Sequence, residues 1–307
     1  MNILRSSYFK SHDGKKIFLH KWDEVENPIG IIQIFHGMAE HGARYDDFAN
    51  FLNNKGYIVY ADDHRGHGKT ADNIDALGYL GEDGFNNIVE DEYFITKSIK
   101  SEYPSLPIFI FAHSFGSFIG QEYINRYSEQ VNGVILSGSA KQSGIDFRVG
   151  LAVTKLIKKF GDESKKNEFL ESIIFGNYNK KEKDNNSKFA WLSGDKNEVK
   201  KYEDDEYCGT VFTTNFYRNM FTGFKYLYLK EKTDKINRSL PLFIIAGEMD
   251  PVGKYGKSVK KLFNHYKKLN LNNVSIKLYP EGRHELINEV NKFVIYNDIY
   301  NWIDSNN

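Results

Sequence analysis

Cysteine is almost missing from this chain. Cys208 is the only one in 307 residues. No internal disulfide can form, which fits a reducing compartment, and a cytoplasmic location is expected. Net charge is missing too. Lys plus Arg and Asp plus Glu each number 41. A neutral chain exerts no general pull on nucleic acid or on an anionic membrane, so no nucleic-acid partner is expected. Long apolar runs are absent. Stretches such as Ile31–Phe35 and Leu242–Ala246 are strand-length, far short of the roughly 20 residues a membrane helix needs. Met1 to Tyr8 carries no apolar segment of a secretory signal. Aromatic residues are plentiful, with 20 Tyr and 23 Phe. Large rings fill cores, and they also line apolar ligand pockets.

The length suits one large α/β domain or two small ones. Ile17–Trp22 reads as an early strand, Gly30–Phe35 as a strand covered on both faces, and Tyr57–Ala61 as the next. Helical spacing marks 46–55 and 88–100, and 62–84 reads as an Asp- and Gly-rich loop. Further strands are expected at 108–111, 131–136, 241–246 and 274–279, with helices to about Tyr127, near 255–268 and near 291–303. This alternation predicts an α/β fold with a doubly wound, mostly parallel sheet. The rhythm breaks after Ser139. Residues 140–235 are rich in Lys, Asn, Glu and aromatics, with helical patches at 150–160 and 213–230. The expected division is a core of 1–139 and 236–307 with a largely helical insertion at 140–235 forming a cap. The run Lys180 to Asn186 is expected to be an exposed loop.

One stretch carries the most chemistry. After the apolar Ile108–Phe111 come Ala112, His113, Ser114, Phe115 and Gly116, and then a helical pattern. A serine flanked two residues away by small residues, between a strand and a helix, fits a nucleophile elbow. The turn is tight, so positions 112 and 116 must be small. The usual first residue is Gly, and Ala112 departs from it. Alone, the pentapeptide fits any tight strand-to-helix turn equally well.

A serine hydroxyl needs a base, and the base needs an orienting carboxylate. Both belong on loops after late strands. Of nine histidines, His284 follows the last apolar strand and precedes the last helix. His12 and His265 lie in polar surroundings and read as surface. Asp250, held before Pro251 in the loop after 241–246, is the favoured acid. Glu248 is the competitor, and an ordinary Asx turn is the plainer reading of Asp250. Oxyanion donors are expected from the backbone N–H groups of Met38, in the Gly-containing loop after Ile31–Phe35, and of Phe115. His36 and His41 lack a third metal ligand at suitable spacing, so no metal is expected. Asp62 to Gly68 reads as a buried, ion-paired loop bracing the site.

The chain resembles the monoacylglycerol lipase and lysophospholipase branch of the α/β-hydrolase fold, which includes serine aminopeptidase-like members. The matching pieces are His36-Gly37-Met38-Ala39-Glu40-His41, Asp63 to Gly68, His113-Ser114-Phe115-Gly116, Gly247 to Val252 and Gly282-Arg283-His284-Glu285. Trp191-Leu192-Ser193 and Tyr207-Cys208-Gly209 also look like the cap of bacterial members. The resemblance implies a triad of Ser114, Asp250 and His284, no cofactor, and a small acyl ester as substrate. It also leaves room for transient contact with a membrane or micelle through the cap. Seven insertion aromatics are candidates for an acyl pocket: Phe175, Trp191, Phe212, Phe216, Tyr217, Phe221 and Phe224. The alternative chemistry is an aminopeptidase or acyltransferase with the same triad, or a binding protein that has lost catalysis.

Overall fold

In a computed structural model, which describes residues 4–142, 152, 162–182 and 187–307, eight strands form one sheet. They are β1 (Arg5–Lys10), β2 (Lys16–Trp22), β3 (Gly30–Phe35), β4 (Tyr57–Asp63), β5 (Ile108–His113), β6 (Gly133–Ser137), β7 (Leu242–Gly247) and β8 (Val274–Tyr279). Their order across the sheet is β1-β2-β4-β3-β5-β6-β7-β8. β2 runs antiparallel to both its neighbours, β1 and β4, and all other pairings are parallel. The five inner strands β3 to β7 are buried at every position, because helices cover both faces.

Alternate residues of each strand feed two separate cores. On one face Ile31, Ile58, Ile108, Ile110 and Leu136 meet α2 (Gly84–Glu102), α3 (Phe115–Tyr127) and α8 (Lys257–Lys268). On the other, Ile32, Val59, Phe109, Phe111 and Ile245 meet α1 (Asp46–Asn53) and α9 (Lys292–Asp304). β1 is missing from the sequence reading because its polar residues RSSYFK are almost wholly exposed at the sheet edge. β4 runs two residues further than expected, carrying Asp62 and Asp63 into the sheet.

The chain leaves β3 for β4 on one side and returns to β5 on the other. This reversal opens a crevice at the carboxyl ends of β3 and β5, where doubly wound sheets hold their ligands. The loop after β3 and the turn after β5 meet there. Ser114 adopts φ 50 and ψ −118, a strained backbone for a side-chain-bearing residue. A Cβ on Gly116 would lie 2.1 Å from the Phe35 carbonyl oxygen, so only glycine fits. The Ala112 departure has a local cause. A Cβ on Gly120, one turn along α3, would stand 3.0 Å from the Ala112 methyl. The methyl that β5 adds is the one α3 omits.

Between β6 and β7 lie α4 (Glu168–Phe175), α5 (Lys196–Asp204), α6 (Thr214–Tyr226) and the short α7 (Lys230–Thr233). The helical patch expected at 150–160 lies outside the described residues, apart from Ala152. Leu170, Phe212, Phe216, Tyr217, Met220 and Phe224 belong to the same apolar cluster as α2 and α3. The Lys180–Asn186 run is not uniformly exposed. Glu182 is buried and pairs with Arg283 at 2.6 Å, and 183–186 lie outside the described residues. No helix among the described residues is long and apolar enough to cross a membrane.

Gly120→Ala should destabilise by about 1–3 kcal/mol through overpacking, and adding Ala112→Gly should recover part of that loss. Urea denaturation of the two single variants and the double variant measures this coupling. Simple additivity would contradict the packing account.

Candidate active site

Three loops, each leaving the carboxyl end of a strand, converge on one point. The turn after β5 presents Ser114, with its N–H bonded to the Ser137 carbonyl at 3.0 Å. The loop after β7 carries Asp250, wholly buried, while Glu248 is exposed. The loop after β8 carries His284, 2% exposed. His284 Nε2 lies 2.8 Å from Ser114 Oγ. Its Nδ1 lies 3.0 Å from Asp250 Oδ1. This short buried contact favours the charged ring, and among the described residues Asp250 Oδ2 has no hydrogen-bond partner. Asp250 Oδ1 also accepts from the Val252 N–H at 2.8 Å. The plainer Asx-turn reading therefore holds as well, and it is the turn that fixes the carboxylate.

Room for the imidazole comes from Gly138. Its φ is +59, and a Cβ there would reach within 3.0 Å of His284 Cε1. Burial works against a charged His284, but Asp250, Glu285 and Glu40 outweigh it and hold its pKa above the ordinary histidine value. The neighbouring His113 behaves oppositely. Burial, and then the proximity of His284, pushes it down to about 3, so it stays neutral and does not compete as a base.

The loop after β3 is built around a buried charge cluster. Glu40 Oε1 accepts from the Gly37 N–H at 2.5 Å and from the Tyr45 hydroxyl at 3.1 Å. Arg44 donates to Glu40 at 2.6 Å and, through both Nη atoms, to Glu285 at 2.8 Å. Its guanidinium lies 4.7 Å from the Tyr202 ring centre. Burial raises the pKa of Glu285, but Arg44 prevails and brings it to about 2. Glu40 goes the other way, with burial outweighing its share of Arg44. Met38, in the turn of this loop, and Phe115 both line the cavity above Ser114. As the first residue of α3, Phe115 has no intrahelical acceptor for its N–H.

The Asp62–Gly68 loop is the brace the sequence suggested. Arg65 donates to Asp91 at 2.5 Å and to Asp13 at 2.7 Å. His36 Nδ1–H bonds the Gly37 carbonyl at 2.7 Å, and its Nε2 accepts the His64 N–H at 2.9 Å. His36, Asp62 and His64 are close enough to hold an ion, but His36 then has no free lone pair to offer a cation.

The sequence reading missed how tightly the insertion grips these loops. The N–H groups of His284 and Glu285 donate to the carbonyls of Trp191 and Leu192 at 3.4 and 2.7 Å. Arg283 donates to the Ala190 and Ser193 carbonyls at 2.6 and 2.8 Å. Ala39, at φ 56, offers its carbonyl to the Tyr202 hydroxyl at 2.9 Å and to the Gly209 N–H at 3.0 Å. Arg283, Glu285 and Glu40 all sat inside quoted motifs, but their partners are distant in sequence.

Above Ser114 opens a cavity of about 1000 Å³. Of the seven candidate aromatics, Phe175, Trp191, Phe221 and Phe224 line it. Phe212, Phe216 and Tyr217 do not. They are fully buried and pack the insertion onto the core, with the Phe216 ring centre 5.0 Å from that of Phe115. His265, expected at the surface, is partly buried against Tyr228, with ring centres 5.0 Å apart.

The profile of the serine aminopeptidase family, S33, matches residues 26–291. The chain belongs to this family. It is an α/β-hydrolase of the monoacylglycerol lipase branch. Among its relatives, the monoacylglycerol lipase of Mycolicibacterium smegmatis is 33% identical over 153 residues, covering 49% of this chain and 52% of that protein. The human monoglyceride lipase is 32% identical over 107 residues, covering 35% and 34%. The chain thus spans about half the length of the first relative and about a third of the second. A thermostable carboxyl esterase from Bacillus coagulans, solved in complex with glycerol, superposes with a TM-score of 0.90 at 28% identity, covering 99% of both chains.

Arg44→Met would leave two buried carboxylates without their cation. The expected loss is about 3–5 kcal/mol of stability, measured by chemical denaturation. A loss below about 1 kcal/mol would show that the cluster carries little stability.

Proposed function

We propose that this hydrolase cleaves carboxylic esters of monoacylglycerol or lysophospholipid type through an acyl-enzyme on Ser114. One observation carries the reading: Ser114 Oγ lies 2.8 Å from a buried His284 at the base of the cavity. Esterase and lipase relatives support the ester class.

Ser114 Oγ attacks the ester carbonyl as His284 Nε2 takes its proton. Asp250 orients the ring and stabilises the imidazolium. The N–H groups of Met38 and Phe115 receive the oxyanion. His284 then protonates the departing alcohol. Water, deprotonated by the same nitrogen, releases the acid and restores Ser114. Residues 140–235 act as a cap over a core of 1–139 and 236–307. The cap's cavity-facing Phe175, Phe221 and Phe224 receive the acyl chain. The exposed apolar Phe169 and Ile173 on α4 support transient contact with a membrane or micelle, and the lone cysteine supports a cytoplasmic setting.

Ser114→Ala should abolish turnover of 4-nitrophenyl esters while the circular dichroism spectrum is unchanged. Activity close to wild type would remove Ser114 as nucleophile. Asp250→Asn should lower kcat by about ten-thousand-fold, and a loss below tenfold would exclude the role given to Asp250. The base must be neutral to act, and the carboxylates around it raise its pKa. The acid limb of kcat/KM should therefore have its midpoint above about 6.5. A midpoint below that value would contradict the electrostatic reading of His284. A panel of a monoacylglycerol, a lysophospholipid and an aminoacyl amide separates the ester reading from peptidase chemistry, and faster cleavage of the amide would reverse it.

A further inference from the structure

Lys141 follows β6 by four residues and lines the same cavity as Ser114. Its backbone is pinned on both sides. The Lys141 N–H donates to the Ser258 carbonyl at 3.2 Å, and the Ser258 hydroxyl donates back to the Lys141 carbonyl at 2.9 Å. The next N–H, of Gln142, reaches the Tyr228 hydroxyl at 3.3 Å. The Lys141 Nζ lies 3.6 Å from the centre of the Tyr228 ring. The His265 ring meets the Tyr228 ring at a steep angle, with centres 5.0 Å apart. Among the described residues Lys141 makes no ion pair. Lys261 also lines the cavity.

The acids of the cavity are engaged elsewhere or lie apart. Glu40 and Glu285 are held by Arg44. Glu171 is partly balanced by Lys188, and Glu168 is exposed on α4. A half-buried ammonium on a ring face, with no counter-ion among the described residues, is costly unless something anionic arrives. Burial lowers the Lys141 pKa to about 8, which still leaves the amine mostly charged at neutral pH.

We propose that Lys141 is a specificity residue that binds an anionic group, a carboxylate or a phosphate, carried by the ester substrate away from the scissile bond. This rests on the ester-hydrolase reading of Ser114. A neutral ester gains nothing from Lys141, whereas an anionic one restores the missing counter-charge in a partly desolvated site.

The test compares three decanoyl esters with the same acyl chain: of glycerol, of glycerol phosphate and of glycerate. Wild type should show a higher kcat/KM on an anionic ester than on the neutral one, through a lower KM. Lys141→Met should lower the anionic-to-neutral ratio about tenfold, and Lys141→Arg should keep most of it. A greater gain on phosphate or on glycerate tells which anion the site is built for. Hydrolysis of the neutral ester with a ratio at or below one, or a ratio that Lys141→Met does not move, overturns this proposal and leaves the ester-hydrolase reading intact. Hydrolysis of none of the three overturns both.

Discussion

Everything at the site depends on one strained residue. Ser114 is held at φ 50 and ψ −118, a backbone state that costs roughly 1–3 kcal/mol for a residue with a side chain. The fold offsets that cost with specific contacts. The Ser114 N–H bonds the Ser137 carbonyl, and the Ser114 carbonyl accepts from the Ser117 N–H at 2.9 Å and the Ser117 hydroxyl at 2.6 Å. The sharp turn also brings α3 against the end of β3, which is why position 116 cannot carry a Cβ. Release of the turn would lower Ser114 back toward the sheet and out of reach of His284.

The insertion is tied into this arrangement rather than resting on it. It supplies carbonyls to the loop bearing His284 and donors to the loop bearing Met38. The same segments, 190–193 and 202–209, form cavity wall and brace at once. Phe212, Phe216 and Tyr217 merge its packing with the core. Motion of the insertion would thus be felt at both the loop bearing His284 and the loop bearing Met38. The Arg44 cluster links those two loops directly, since Glu40 shapes one and Glu285 adjoins His284 in the other.

The sheet was legible because its inner strands are buried at every position and mostly apolar. The edge strand β1 was not, since an exposed polar strand has no period to read. The three residues of the proposed triad each follow an apolar strand, so their convergence follows from topology. Asp250 could be preferred to Glu248 because Pro251 biases its backbone to an extended form in the loop, while Glu248 lies nearer the strand end. Local reading stopped where contacts join residues far apart in sequence. Arg44 with Glu285, Arg283 with the 190–193 carbonyls, and Glu182 under Arg283 leave no periodic signature. Aromatic content pointed to a pocket but could not sort the lining rings from those that only pack. Ala112 reads from sequence as a departure from the usual glycine, and Gly120 opposite it makes room for the methyl.

The account's central claim is that Ser114 is an activated nucleophile. Labelling the intact protein with a fluorophosphonate and mapping the adduct by mass spectrometry tests it directly, because only an activated serine reacts. One adduct per chain on the peptide containing Ser114, lost in His284→Ala, is the predicted result. No adduct, or an adduct on another serine, would contradict it.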